Sequence, residues 1–180
     1  MSTLYMATIT ELRAEAGIPD SNDDAELTRR ALGLQGRFED HCNRLFKREV
    51  GRVETHFYHR TIFLDLFPIE QITSVKVENV EVGSWALRSD RGVLRVDGND
   101  PSDIVEVTYT GGYSAAGTQV GEFPMPEGLR RALFLQFGYE WRNKNQLGNA
   151  SMGAQGVSVQ LAPADLLPDV KAALSKYTRI

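Results

Sequence analysis

The side chains of this sequence that could do chemistry are three histidines, one cysteine, some loop serines and one acidic cluster. His56 and His59 stand three apart in a stretch whose alternation predicts a strand. They would face opposite ways and cannot clasp one metal ion. His41 and Cys42 are adjacent in a helical stripe, where neighbours diverge by about 100°. Cys42, the only cysteine, reads as a reduced, buried thiol. Ser114 and Ser151 lie in loop sequence without the pattern that sharpens a serine into a nucleophile. Asp20, Asp23, Asp24 and Glu26 lack the alternating oxygens, glycine and closing glutamate of a calcium loop, and read as a solvated helix start. The run GNASMGAQG spaces three glycines but has no Lys-Ser/Thr and follows a helix, so it reads as a flexible arm. No catalytic, cofactor-binding or metal site is expected, and no enzyme.

Arginines form small clusters at Arg29-Arg30, Arg130-Arg131 and Arg142 with Lys144. They fit exposed helix faces. Arg130, Arg131 and Arg142 fit equally a subunit interface, where arginine is favoured over lysine. The formal net charge of -4 argues against a protein that grips nucleic acid by its phosphates. No apolar run approaches the ~18 residues that span a membrane, and the N-terminus lacks a basic start followed by an apolar core. Synthesis in the cytoplasm follows as an expectation.

The elements that must position these residues follow from periodicity. Thr8 or Thr10 caps a short helix ended by Gly17. Leu27, Ala31, Leu34, Phe38, Cys42 and Leu45 form one stripe, predicting a helix from Asp23 to Phe46, about 36 Å long. Gly33 and Gly36 inside it read as tolerated, or as places for close approach by another helix or a neighbouring subunit. From residue 51, β-branched and aromatic residues alternate with polar ones: Val53, Thr55 and Phe57 with Glu54, His56 and Tyr58. About six short strands are predicted, with a hairpin signal at Asp90-Arg91-Gly92. Pro124 and Pro126 start a third helix with the stripe Leu129, Leu133, Phe137, Trp141. Residues 143–163 read as a loop without regular structure. A last helix of roughly ten residues runs from Pro168 to Tyr177, too short to be stable undocked. The fold class is α+β: a helical body of three to four helices with an inserted small antiparallel β module. The expected parts are 1–50 and 122–147 for the body, 51–121 for the insertion, and 148–180 for a Gly-rich arm with the C-terminal helix.

Six stretches, in order along the chain, carry a resemblance. They are ITELRAEAGIP, DDAELTRRAL, NRLFKRE, VEVTYTGGY, PEGLRRALFLQFGYEWRN and LLPDVKAALSKYTR. The sequence resembles the head-tail connector (adaptor, or head completion) proteins of long-tailed phages, prophages and gene transfer agents. One departure is the long Gly-rich segment, residues 145–157. The resemblance implies a virion protein of the head-tail neck, without cofactor or catalysis. Such subunits form a ring below the portal protein, with roughly twelve-fold cyclic symmetry. They meet the stopper or tail-completion protein and extend a channel through which DNA passes without sequence-specific binding. On that reading, Leu166, Leu167, Val170, Leu174 and Tyr177 would anchor the C-terminal helix in the portal or a neighbouring subunit. The same stripe also fits packing within the chain. The rival readings are another neck protein, a stopper or tail terminator, which would be chiefly β, and a small-ligand-binding protein with a pocket between the β insertion and Trp141.

Overall fold

A computed structural model describes residues 4–97, 100–144, 151–154, 157–160 and 165–179. The fold is α+β, and its contacts divide the chain into two compact units. One comprises Met1–Cys42 with Pro126–Thr178, the other Asn43–Met125 with Arg179–Ile180.

The helical unit begins with α1, Ile9–Ala16, which Thr8 starts through a reciprocal capping box. The Glu11 amide donates to the Thr8 hydroxyl at 3.3 Å, and the Thr8 amide donates to the Glu11 carboxylate at 2.8 Å. Helix α2 spans Asp24–Cys42 and buries Leu27, Ala31, Leu34, Phe38 and Cys42 on one face. It stops four residues short of the predicted Phe46, because Asn43 turns left-handed at φ 50. Leu45 and Phe46 therefore leave the stripe and join the β unit's packing. Gly33 and Gly36 have open space where a Cβ would stand, so within the chain they are tolerated rather than used for close approach. Helix α3, Glu127–Arg142, buries Leu129, Leu133, Phe137 and Trp141, together with Ala132, Gln136 and Gly138. Helix α4, Pro168–Leu174, continues into a 3-10 turn over Ser175–Tyr177.

The expected structureless loop is partly a hairpin. Strands β8, Ser151–Ala154, and β9, Val157–Gln160, pair antiparallel and form a sheet of their own. The rest of that segment, 145–150, 155–156 and 161–164, lies outside the described residues, as does part of the arm expected there.

The β unit holds β1 (Glu49–Phe57), β2 (Thr61–Phe63), β3 (Ile69–Val77), β4 (Val80–Glu81), β5 (Trp85–Arg88), β6 (Val93–Val96) and β7 (Ile104–Gly111). One sheet runs β1-β7-β3-β4 and the other β2-β6-β5, with every pair antiparallel. Val75, Val77, Leu94, Val96, Val105, Val107 and Tyr109 fill the core between them. At the end of β7 the chain needs two glycines for space. A Cβ on Gly111 would stand 2.8 Å from the Pro68 carbonyl, and one on Gly112 would stand 2.8 Å from the Lys47 carbonyl. Strand β1 carries a bulge. Glu49 opposes Gly111 and Arg52 opposes Tyr109, so three steps on β1 match two on β7. Gly51, at φ 65, makes the turn, and its amide donates to the Thr110 hydroxyl at 3.3 Å.

Candidate interaction surfaces

The C-terminal helix is seated in its own chain. Leu166, Val170 and Leu174 are buried, Leu167 and Tyr177 half-buried, and α4 packs on α3 and α2. The packing follows from a buried side chain outside the predicted stripe. Gln136 on α3 accepts from the Leu167 amide at 2.9 Å and donates to the Asp165 carbonyl at 3.3 Å. It thereby satisfies backbone groups at the start of α4, where no side-chain cap exists. Gln35 on α2 does the same for the N-terminal segment, accepting from the Tyr5 and Met6 amides at 3.0 Å each. The intramolecular reading of the Leu166–Tyr177 stripe is the one this packing carries. While α4 stays seated, Leu166, Val170 and Leu174 have no surface to offer a partner.

Two of the three candidate interface arginines are engaged within the helical unit. Arg130 pairs with Glu11 of α1 and, at 3.2 Å, with Glu127. Arg142 donates to the Gly138 carbonyl at 2.9 Å and lies 4.0 Å from the Glu15 carboxylate. Both tie α3 to α1, where the absence of a side chain at Gly138 makes room for Glu15. Arg131 is exposed, and among the described residues it makes no ion pair.

The residues considered for chemistry are not assembled. Asp24 pairs with Arg13, and Glu26 lies 2.7 Å from Arg30. The Ser114 hydroxyl is buried and donates to the Val120 carbonyl, while the Ser151 side chain lies outside the described residues. Among the described residues no three His, Cys, Asp or Glu side chains converge to hold a metal, and no helix is long and apolar enough to cross a membrane. Trp141 is packed within the helical unit, stacked on Phe137 at 6.2 Å between ring centres, with Arg30 and Lys144 over its ring.

Periodicity did not reveal the polar hub of the β unit. Glu54, in the middle of β1, is buried and accepts from the Tyr109 hydroxyl at 2.5 Å and from Arg52 at 2.7 Å. It also accepts from the Asp65 amide at 3.1 Å and contacts His56 at 3.2 Å. Burial pushes its carboxyl up, but the hydrogen bonds from His56, Tyr109, Arg52 and the Asp65 amide outweigh that and hold it at about 2. Burial, reinforced by Glu54, pushes the Tyr109 hydroxyl well above its ordinary range. Arg52 also reaches Glu49 at 2.8 Å, and Arg179 pairs with Asp65 and donates to the Phe63 carbonyl at 2.8 Å. Every charge of this cluster has a partner, which suits a structural lock.

On the other face of β1 the arrangement inverts. Because of the bulge, Val50 shares a face with Val53, Thr55 and Phe57, and that face is outward. Val50 is 71%, Val53 55% and Phe57 72% exposed, and Ile104, directly opposite Phe57 on β7, is 47% exposed. A row of exposed apolar side chains along a sheet edge is the mark of a surface meant to be covered.

Over residues 6–180 the sequence matches the head completion protein family. The chain belongs to that family. The fold of this head completion protein is similar to a chain solved in the neck of an empty gene transfer agent particle computed with C6 symmetry. The TM-score is 0.62, with 14% identity over 97% of this chain and 90% of that one. A second solved chain comes from the neck of a native gene transfer agent particle computed with C12 symmetry, with TM-score 0.49 and 15% identity over 100% of this chain and 96% of that one. No curated protein sequence matches this head completion protein.

Proposed function

We propose that this head completion protein is a structural, non-catalytic subunit of the head-tail neck. It acts as an adaptor, one segment of a ring between the portal and the stopper or tail-completion protein, and it lengthens the channel for DNA. The family match across residues 6–180 carries the reading. The folded chain is consistent with it: paired polar clusters, a closely packed helical unit and an uncovered sheet edge suit a part that assembles. The helical unit also counts against a stopper or tail terminator, which would be chiefly β. The ring contacts are heterologous, one face of a subunit meeting a different face of the next, and they close through rotational symmetry.

The deciding experiment is electron microscopy of particles made without this gene. Tailless heads beside free, complete tails are expected. Normal tailed particles would overturn the proposal.

A further inference from the structure

We propose that the open edge of β1 in one copy of the chain is completed by the β8–β9 hairpin of a second copy, added as the next strand of the sheet. The inference rests on the ring reading above and names the contact that would build it.

Strand β1 is the long open edge of the β unit. It spans Glu49–Phe57 and, among the described residues, pairs only with β7. The other edges are short: β4 is Val80–Glu81, β5 is Trp85–Arg88 and β2 is Thr61–Phe63, with Arg179 donating to a β2 carbonyl at 2.8 Å. Sheet edges are ordinarily blunted by charges, proline or a covering segment. The outward face of β1 has no charge at Val50, Val53, Thr55 or Phe57, and its one bulge lies at the N-terminal end.

The hairpin is the matching half. Strands β8 and β9 pair with each other and with neither of the other sheets. A lone two-stranded hairpin is marginal in water and needs a third strand or a packed face. Residues 145–164 carry no charged side chain in a chain that is 24% charged. That composition suits a segment to be covered by a neutral, apolar surface, and such a surface runs along β1. Only an extended strand satisfies the alternating N–H and C=O groups of an open edge. A four-residue strand covers about 13 Å, well within the roughly 30 Å of β1. On the ring reading each subunit stands beside further copies of itself, so the occupant of this edge is the hairpin of another copy. Edge and hairpin are different parts of the subunit, so the contact passes from copy to copy and can close into a ring.

Two variants test this by complementation. In one, residues 149–162 are replaced by a short Gly-Ser linker, leaving an edge but no hairpin. In the other, Val53→Lys with Phe57→Lys charges the edge and leaves the hairpin. Each should keep the wild-type circular dichroism and be monomeric in native mass spectrometry. Their mixture should give a one-to-one heterodimer, with exchange of the β1 amides slowed about tenfold. Absence of the heterodimer, or either variant assembling alone as the wild type does, overturns the proposal. Should the linker variant not fold, a peptide of residues 149–162 added to the dilute full-length chain must slow β1 exchange, and unchanged exchange overturns it equally. A hairpin-deleted chain that still enters complete necks would sink strand addition and leave the neck reading standing. Normal tailed particles without the gene would sink the neck reading itself.

Discussion

In the helical unit the apolar faces of α2, α3 and α4 are used up against one another, and the few buried polar side chains hold backbone. Gln35 and Gln136 are both nearly inaccessible: Gln35 takes two amides of the N-terminal segment, and Gln136 takes one amide and one carbonyl of the segment entering α4. In the β unit the assignment of faces on β1 is reversed. Arg52, Glu54 and His56 turn inward to a hydrogen-bonded cluster, and Val50, Val53 and Phe57 turn outward. Burial of a carboxylate is tolerable only because four donors surround it. Exposure of three large apolar side chains on one edge makes sense only if something covers them. The helices of one unit are finished as a packed body. The sheet edge of the other is a surface that awaits a partner.

The largest break in this contrast should come from Leu174→Asp. A charge would be placed where the side chain is fully buried. A loss of at least about 4 kcal/mol is expected. Calorimetry with hydrogen exchange should show the helical amides losing protection, and a wild-type melt would mean that α4 is docked loosely after all.

Glu54→Gln should cost the β unit roughly 2–3 kcal/mol, because it removes the charge that three side chains and an amide are arranged to meet. The same group sets an acid response. Its folded carboxyl sits at about 2, below its ordinary 4.5, so its stabilisation is complete above about 4.5 and disappears as pH falls through 2. A shift of that size is worth on the order of 3 kcal/mol. Urea melts between pH 5 and 2 should show wild-type stability falling across this window, with a flatter slope in the Gln variant. Equal slopes would mean that the cluster is not an ionic lock.

The smallest effect sharpens the contrast from the other side. Phe57→Lys should change stability by no more than about 0.5 kcal/mol, since the ring is 72% exposed in the isolated chain. A loss of several kcal/mol in thermal melts would show that the ring is already buried in the free protein, and that the edge is not vacant.

Periodicity made much of the architecture legible. The stripe Leu27, Ala31, Leu34, Phe38, Cys42 identifies α2 because a helix repeats every 3.6 residues, and Pro126 with Leu129, Leu133, Phe137 and Trp141 identifies α3. The end of α2 was not legible, since Leu45 keeps the spacing while Asn43 breaks the backbone. Alternation identified β1 but not which of its faces is buried, and the hub around Glu54 stayed hidden because a strand carboxylate looks like a solvent-facing residue. Its one signal was the local company of Arg52, Glu54 and His56 on alternate positions. The hairpin was masked by Gly, Ser and Gln. Its trace was the alternation Val157, Ser158, Val159 beyond a two-residue spacer with a glycine. Gln136 was invisible as a clamp, because a glutamine beside an apolar stripe reads as a solvent-facing residue.

Gly51 also decides how the outer character of this strand can change over generations. As the hinge of a one-residue bulge it absorbs a residue that strict alternation has no place for: with Gly51 deleted, Val50 would stand opposite Thr110 and still face outward, and Glu49 would keep its place opposite Gly111. The two faces of β1 therefore survive a change of chain length at this point. A deletion at the bulge would alter the apolar row less than a point substitution at Val53 or Phe57.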